Sequence, residues 1–328
     1  MKAAVLTEYG APLDILDIDE PVAGPGQVLV RVMASGVNPL DTKIRRGQAA
    51  HAQTVLPAVL GMDMAGVVEA VGDGVVEFHV GDEVFGMTGG VGGIQGTLAE
   101  YVAADCQLLA PKPAALSMVQ AAALPLVFIT AREALVGKAH LDGEGERVLV
   151  HGGAGGVGHV AIQLARYRGA QVFATGSPAS QEIIAATGAI AIDYTTTTVS
   201  EYVEKHSAGE GFDVVFDTVG GATLDDSFAA VKPYTGHVVS ALGWGTHNLA
   251  PLSFRAATYS GVFTLLPLLT GAHRDRYGRA LRLAAKMAEA GVLTPLLHSV
   301  TFTFANLGDA YAAVENPTTT GKVVVQVG

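Results

Sequence analysis

Cysteine is almost missing from this chain: its 328 residues include one, Cys106. A lone cysteine makes no intrachain disulfide and builds no thiolate metal centre. Positive charge is scarce as well, with 20 lysines and arginines against 31 aspartates and glutamates and a net charge of −11. Such a chain has no general attraction for phosphate backbones or anionic bilayers, so nucleic acid and membrane are set aside as partners. No uninterrupted apolar run reaches the roughly 18 residues that a membrane helix needs; the stretch from Val262 to Leu269 is broken by Thr264 and Pro267. The start, Met1-Lys2-Ala3-Ala4, lacks an apolar signal region behind a basic segment. The ten histidines show no metal spacing. What is present, 49% hydrophobic residues with 41 glycines, is a globular composition with many tight turns. A cytoplasmic enzyme is the expectation.

The length exceeds what one core usually organises, so two domains are expected. Residues 1 to about 120 read as β-rich: short apolar runs such as Gln27–Val32 and Met64–Val71 lie between turn signals such as Gly24-Pro25-Gly26 and Gly72-Asp73-Gly74. From Arg147 strand and helix alternate, which predicts a parallel sheet covered on both faces, with a sixth strand at Gly261–Leu265. The tail is mixed, and its last strand, Lys322–Val327, is expected to rejoin the first domain. The predicted fold is α/β: a doubly wound Rossmann sheet of about six strands, residues 121–261, inserted in a discontinuous β-rich domain, residues 1–120 and 262–328. The glycine-rich segment 86–97 lacks strand–turn–helix context and reads as a mobile flap.

The strongest motif is Gly153-Ala154-Gly155-Gly156-Val157-Gly158. It follows the apolar strand Arg147–His151 and opens a helix with apolar residues at Val157, Val160, Ala161, Leu164 and Ala165, a helical spacing. In such a turn the first glycine allows the bend and the second lets a diphosphate approach the backbone. The third lets helix and strand pack closely, and helix-start N–H groups hold the phosphates. A dinucleotide is therefore expected here. The next strand, Gln171–Thr175, runs into Gly176-Ser177-Pro178-Ala179-Ser180 with no carboxylate before Glu182. An acid there would bind a ribose 2′-hydroxyl and repel a 2′-phosphate, so its absence points to NADPH, with Ser177 and Ser180 as hydroxyl donors. No Arg or Lys lies in that segment. Tyr194 is either an adenosine neighbour or a surface residue. His151 reads as a structural strand-end histidine before a catalytic one, and Cys106 as packing before nucleophile.

Several segments carry a family resemblance. They are Met1-Lys2-Ala3-Ala4, Pro25–Val30, Gly36-Val37-Asn38-Pro39-Leu40-Asp41, Leu60–Val68, Val80–Val84, the glycine turn, and Gly321-Lys322-Val323-Val324. With them the chain resembles the medium-chain dehydrogenase/reductase superfamily, in particular its zinc-independent, quinone oxidoreductase-like branch. The resemblance implies a GroES-like catalytic domain, a dimer, and a hydride passed from NADPH to a quinone or an α,β-unsaturated carbonyl. It places Asn38 beside the nicotinamide, as an oxyanion donor or simply as an Asn-Pro turn. Asp41 then anchors that loop or caps a helix, Lys43 offers a cation or is a solvated surface lysine, and Asp63 fixes loop geometry. Thr130, Gly243, Phe263, Thr264, Leu265 and Lys322 join the cofactor-binding set by the same resemblance. In the zinc alcohol dehydrogenases, the runner-up, zinc ligands would fall at Asn38, Met62 and near Leu126, none of them a good Zn²⁺ donor, so no metal is expected. A nucleotide-binding protein without turnover is the remaining alternative.

Overall fold

The computed structural model describes residues 1–316 and 318–328. The first elements are strands β1 (Lys2–Leu6), β2 (Asp14–Asp17) and β3 (Gln27–Val37), helix α1 (Pro39–Arg45), and strands β4 (Ala58–Val59), β5 (Asp63–Val71), β6 (Glu83–Met87), β7 (Tyr101–Asp105) and β8 (Leu109–Pro111). Short helices α2 (Met118–Ala122) and α3 (Pro125–Arg132) follow, then a π-helical turn at Glu133–Lys138. The alternating part runs β9 (Arg147–His151), α4 (Gly156–Tyr167), β10 (Gln171–Gly176), α5 (Gln181–Ala186), β11 (Ile190–Asp193), α6 (Val199–Ser207), β12 (Val214–Asp217), α7 (Ala222–Ala230), β13 (His237–Ser240), α8 (Ala250–Phe254) and β14 (Thr258–Gly261). The tail holds α9 (Leu266–Thr270), α10 (Asp275–Glu289), β15 (Phe302–Thr303), α11 (Leu307–Glu315) and β16 (Val323–Gln326).

Two compact units result: residues 1–129 with 265–328, and residues 130–264. The sequence reading set the borders at 120/121 and 261/262; the structure sets them at 129/130 and 264/265, the first within α3.

In the first unit a seven-stranded sheet has the order β15-β16-β3-β5-β6-β8, with β7 paired to β3. Val28, Val30 and Val32 on β3 alternate into a core with Met64, Val68, Val84, Val102 and Leu109, the period-two pattern of a one-sided sheet. The C-terminal strand does rejoin this sheet: β16 runs antiparallel to β3 with Val323 opposite Val37 and Val324 opposite Gly36. Asp63, the first residue of β5, also pairs with Gly36. One end of the sheet thus gathers the last residues of β3 and the first of β5 and β16.

The glycine-rich segment 86–97 is not a free flap. Thr88 N–H donates to Met62 O at 2.8 Å and Gly96 N–H to Val59 O at 3.0 Å. A Cβ on Gly89 would lie 2.0 Å from Gln95 O, and one on Gly96 2.3 Å from Leu60 O. These glycines let two backbone stretches touch; only Gly92 and Gly93 at the tip are exposed.

In the second unit six parallel strands have the order β11-β10-β9-β12-β13-β14. Order reverses at β9, where a doubly wound sheet opens a crevice beyond its strand ends. Phe173, Phe212, Val215 and Val238 are among the buried residues that share a core with Tyr202 of α6 and Phe228 of α7. The sixth strand is Thr258–Gly261, not Gly261–Leu265. Register explains the shift: Gly261 already pairs with Ser240, the last residue of β13, and after the Val262 N–H bond to Ser240 O at 2.9 Å the pairing ends.

Candidate functional site

At the end of β9 the chain turns through Gly152, whose φ of +75° is the left-handed geometry that favours glycine. The bend therefore lies one residue earlier than the sequence reading gave it. Gly153 is required for another reason: a Cβ there would lie 2.7 Å from the Ala174 Cβ on β10. At Gly158 a Cβ would lie 2.2 Å from Gly152 O, so only glycine lets α4 sit this close to β9. Gly155 differs from both. Its absent Cβ would meet only Gly152 O, at 3.3 Å, and it is the N-cap of α4 with no side-chain cap. The N–H groups of Gly156, Val157 and Gly158 open a twelve-residue helix whose positive end suits a diphosphate. The glycine turn fits a dinucleotide.

Beyond β10, Gly176 has no room for a side chain, since a Cβ would lie 2.5 Å from Ile184. The Ser177 and Ser180 hydroxyls pair at 3.0 Å, and Gln181 Nε2 donates to Gly176 O at 3.0 Å and Ser177 O at 3.1 Å. No carboxylate stands from Gln171 to Gln181. Tyr194, 60% exposed, sits just past the edge strand β11. Gly243 follows β13 in an exposed loop; a Cβ there would lie 2.2 Å from the Tyr259 hydroxyl. Phe263 stacks edge-on against Trp244 with centroids 6.2 Å apart, and Thr264 follows it at the end of the unit. Thr130 is buried on α3. Leu265 belongs to the other unit and is buried there.

The sequence reading missed a row of buried polar residues along this sheet. Thr175, His151, Asp217 and Ser240 end or nearly end β10, β9, β12 and β13 and pair in register. His151 Nδ1 meets Thr175 Oγ1 at 3.1 Å, Ser240 Oγ donates to Asp217 Oδ2 at 2.7 Å, and Asp217 Oδ1 accepts from Val219 and Gly220 N–H at 3.0 and 2.9 Å. Burial lowers the His151 pKa to about 4 against the pull of Asp217, so the ring is neutral at pH 7. One polar residue closing each of four apolar strands was a visible signal.

In the first unit the sheet end described above carries a second cluster. Asn38 follows β3, Lys322 precedes β16 and Asp63 opens β5, so the strand register alone brings them together. Gly36 clears the space, since a Cβ there would lie 2.4 Å from Ala122 O and 3.1 Å from the Asp63 Cβ. Asn38 Nδ2 donates to Asp63 Oδ2 at 3.0 Å, and Lys322 Nζ donates to Asn38 Oδ1 and, at 3.4 Å, to Val37 O. Lys322 Nζ lies 3.7 Å from Asp63 Oδ2, and Leu126 N–H donates to Asp63 Oδ1 at 2.9 Å. Asp41, fully buried, accepts Asn38 N–H at 2.8 Å through Oδ2, so it anchors the loop and closes the helix start at once. Its Oδ1 has no hydrogen-bond partner among the described residues.

Burial raises the Asp41 pKa to about 7; Asp63 adds to the rise, while the Asn38 and Gly61 N–H groups and Lys322 oppose it. Burial also pushes Asp63 up and Lys322 down, and their mutual attraction works against both shifts. Lys43 is not brought to this cluster: it lies on the exposed face of α1. Lys322 is brought to it, with Nζ directed at Asn38 Oδ1 and Val37 O.

As a metal centre the cluster fits poorly. It offers an amide and carboxylates, without thiolate or imidazole, and the cation facing Asn38 and Asp63 is the Lys322 ammonium. Among the described residues no group of three or more His, Cys, Asp or Glu has metal-binding placement.

Two family models match the chain: the alcohol dehydrogenase GroES-like domain over residues 24–114 and the zinc-binding dehydrogenase domain over 187–325. An NADPH-dependent alkenal/one oxidoreductase of Arabidopsis thaliana is 35% identical over 99% of this chain and 79% of its own length. The chain belongs to the medium-chain dehydrogenase/reductase superfamily. Another member, the quinone oxidoreductase of Homo sapiens, is 32% identical over 91% of this chain and 89% of its own. Among solved members, an alcohol dehydrogenase superfamily protein from Novosphingobium aromaticivorans matches with 54% identity and a TM-score of 0.98 over 100% of both chains. The superfamily's two-part plan accounts for the parallel sheet and the GroES-like fold.

Proposed function

We propose that this protein is an NADPH-dependent oxidoreductase that reduces a quinone or an α,β-unsaturated carbonyl without zinc. The observation that carries the reading is Gly155, where an uncapped helix start and an open face leave room for a diphosphate. Gly153–Gly158 would hold that group. Gly176, Ser177 and Ser180, with no carboxylate among them, favour a 2′-phosphate over a 2′-hydroxyl. Thr130, Tyr194, Gly243, Phe263 and Thr264 are assigned to the rest of the cofactor on the family likeness. The NADPH-dependent and quinone-reducing relatives support the same assignment.

When bound, NADPH supplies a hydride from its nicotinamide. The acceptor gains that hydride and a proton, and its oxygen carries negative charge in between. Asn38 has one amide N–H on Asp63 and a second to direct at that oxygen. An amide has no proton to give at neutral pH, so water or a ribose hydroxyl completes the reduction. Asp41 and Asp63 hold the loop in place; Lys43, exposed on α1, lies outside this buried cluster. The poor donor set at Asn38, Met62 and Asp63 supports chemistry without a Lewis acid. An electron-poor acceptor suits that chemistry better than an unactivated alcohol.

A homodimer is proposed through β14, the outer strand of the parallel sheet, whose free edge would gain by pairing with a second copy. A reducing compartment such as the cytoplasm suits a chain with one cysteine. No helix among the described residues is long and apolar enough to cross a membrane.

Quinones and enones assayed with NADPH and NADH in parallel test the reading. Multiple turnovers with NADPH and weaker rates with NADH are expected. Cofactor binding with no turnover on any acceptor would leave a binding protein, and activity restored only by Zn²⁺ would make it an alcohol dehydrogenase.

A further inference from the structure

We propose that Lys322 is a positioning residue for the reduction: it fixes which way the Asn38 amide faces and strengthens the N–H that Asn38 offers to the acceptor oxygen. The inference rests on the functional reading above.

An amide side chain has two nearly equivalent ends, and only its neighbours decide the orientation. Here the neighbours leave no choice. The Lys322 ammonium has donors and no acceptor, while a carboxylate paired with that ammonium has acceptors and no donor. Nζ therefore takes Oδ1 of Asn38, and Asp63 Oδ2 takes Nδ2 at 3.0 Å. Turning the amide over would set N–H against N–H and oxygen against oxygen inside a buried cluster, where Asn38 and Asp63 are 1% and 0% exposed. The flip is excluded while both partners are charged.

The second effect is polarisation. A cation bonded to an amide oxygen draws density from nitrogen and makes both N–H groups better donors. One of them is spent on Asp63. The other is the donor that meets negative charge as hydride arrives. Lys322 thus acts through one bond and one residue, without touching the acceptor. Its side chain suits this task. Nζ is held by Asn38 Oδ1 and Val37 O and lies 3.7 Å from Asp63, and the residue is 7% exposed. The three partners come from β3, its following loop and β5, so Lys322 at the start of β16 locks these ends together.

This role makes a distinction that packing does not. A quinone is a ready hydride acceptor and needs little help at its oxygen, whereas a simple enone depends on it. Removing the lysine should therefore slow enone reduction much more than quinone reduction.

The test compares wild type with Lys322→Met, Lys322→Arg and the double variant Lys322→Met/Asp63→Asn. The double variant leaves no unpaired buried charge, so it guards against simple misfolding. Each protein is assayed with NADPH and either 1,4-benzoquinone or a simple enone, and NADPH affinity is read from its fluorescence. Expected for Lys322→Met and the double variant is a loss of about tenfold or more in enone kcat, a smaller loss with benzoquinone, and an unchanged NADPH Kd. Lys322→Arg should recover part of the enone rate. In the cofactor-free protein, the Asn38 side-chain amide resonances, identified by their loss in Asn38→Ala, should move in Lys322→Met and move less in Lys322→Arg.

Equal losses with both acceptors would reduce Lys322 to a structural residue. A weakened NADPH Kd with kcat retained would make it a cofactor ligand, and an amide signal indifferent to Lys322 would remove the polarisation. Each of these overturns the proposal. If wild type reduces neither acceptor while the amide signal still follows Lys322, the functional reading fails and the amide orientation stands.

Discussion

The carboxyl of Asp41 is fully buried, and that burial outweighs the Asn38 N–H it accepts, so it favours the protonated acid. Between its ordinary 3.8 and about 7 the folded protein keeps a proton that the unfolded chain has released. Stability from this group therefore falls as pH rises, by up to about 1.4 kcal/mol per pH unit. Asp41→Asn removes the slope while keeping an acceptor for the Asn38 N–H. Its melting temperature relative to wild type should climb between pH 5 and pH 8; a flat difference across that range would mean that Asp41 is ionised throughout. His151 has the opposite sign. Its pKa falls from 6.5 to about 4 on folding, so its contribution is complete above 6.5 and is lost as pH drops towards 4. His151→Gln should narrow the gap in stability between pH 7 and pH 5, measured by denaturant titration at each pH.

Helix α4 and strand β9 meet through glycines that do different things, and substitution separates two of them. Gly158→Val places a side chain where a Cβ already lies 2.2 Å from Gly152 O, so helix and strand must part. A loss of about 3 kcal/mol or more is expected, with NADPH binding abolished. Gly155→Ala meets only Gly152 O at 3.3 Å, so stability should change by about 1 kcal/mol or less. NADPH affinity should nevertheless fall, because the methyl group faces the open side of the turn. Calorimetry beside fluorescence titration checks the pair; wild-type affinity in the Gly155→Ala variant would place the diphosphate elsewhere. Helix α1 is held by charge as well as packing. Arg45 and Arg46 pair with Glu315 of α11 at 2.9 and 2.6 Å, and Arg45 lies over the Tyr311 ring at 5.5 Å. These contacts fix the helix whose first turn contains Asp41.

At the scale of the molecule, two units with separate cores make thermal unfolding a probe of where the cofactor binds. NADPH at about a hundred times its Kd adds about 2.7 kcal/mol to the unit that holds it. In a calorimetric scan that resolves the units, the transition of residues 130–264 should move. Activity should survive a strong chelator such as dipicolinate; loss of turnover on chelation, recovered by Zn²⁺, would refute the zinc-free reading. Light scattering should give twice the 33.6 kDa mass of the chain if β14 pairs with a second copy.

Much of this was legible in the sequence because it depends on local pattern. The apolar strand before Gly153, the spacing of Val157, Val160, Ala161 and Leu164, and the alternation after Arg147 fix a Rossmann unit through backbone geometry and side-chain period alone. The missing carboxylate after β10 was equally visible. Only the tertiary structure decided that Lys322 faces Asn38, 284 residues away, because strand pairing between β16 and β3 sets that contact and no local signal encodes a register. It likewise decided that the 86–97 segment is packed and that Thr175, His151, Asp217 and Ser240 form a row. Sequence determines which backbone turns are possible; the burial that makes a lysine, two aspartates and an amide act as one unit exists only once distant strands have met.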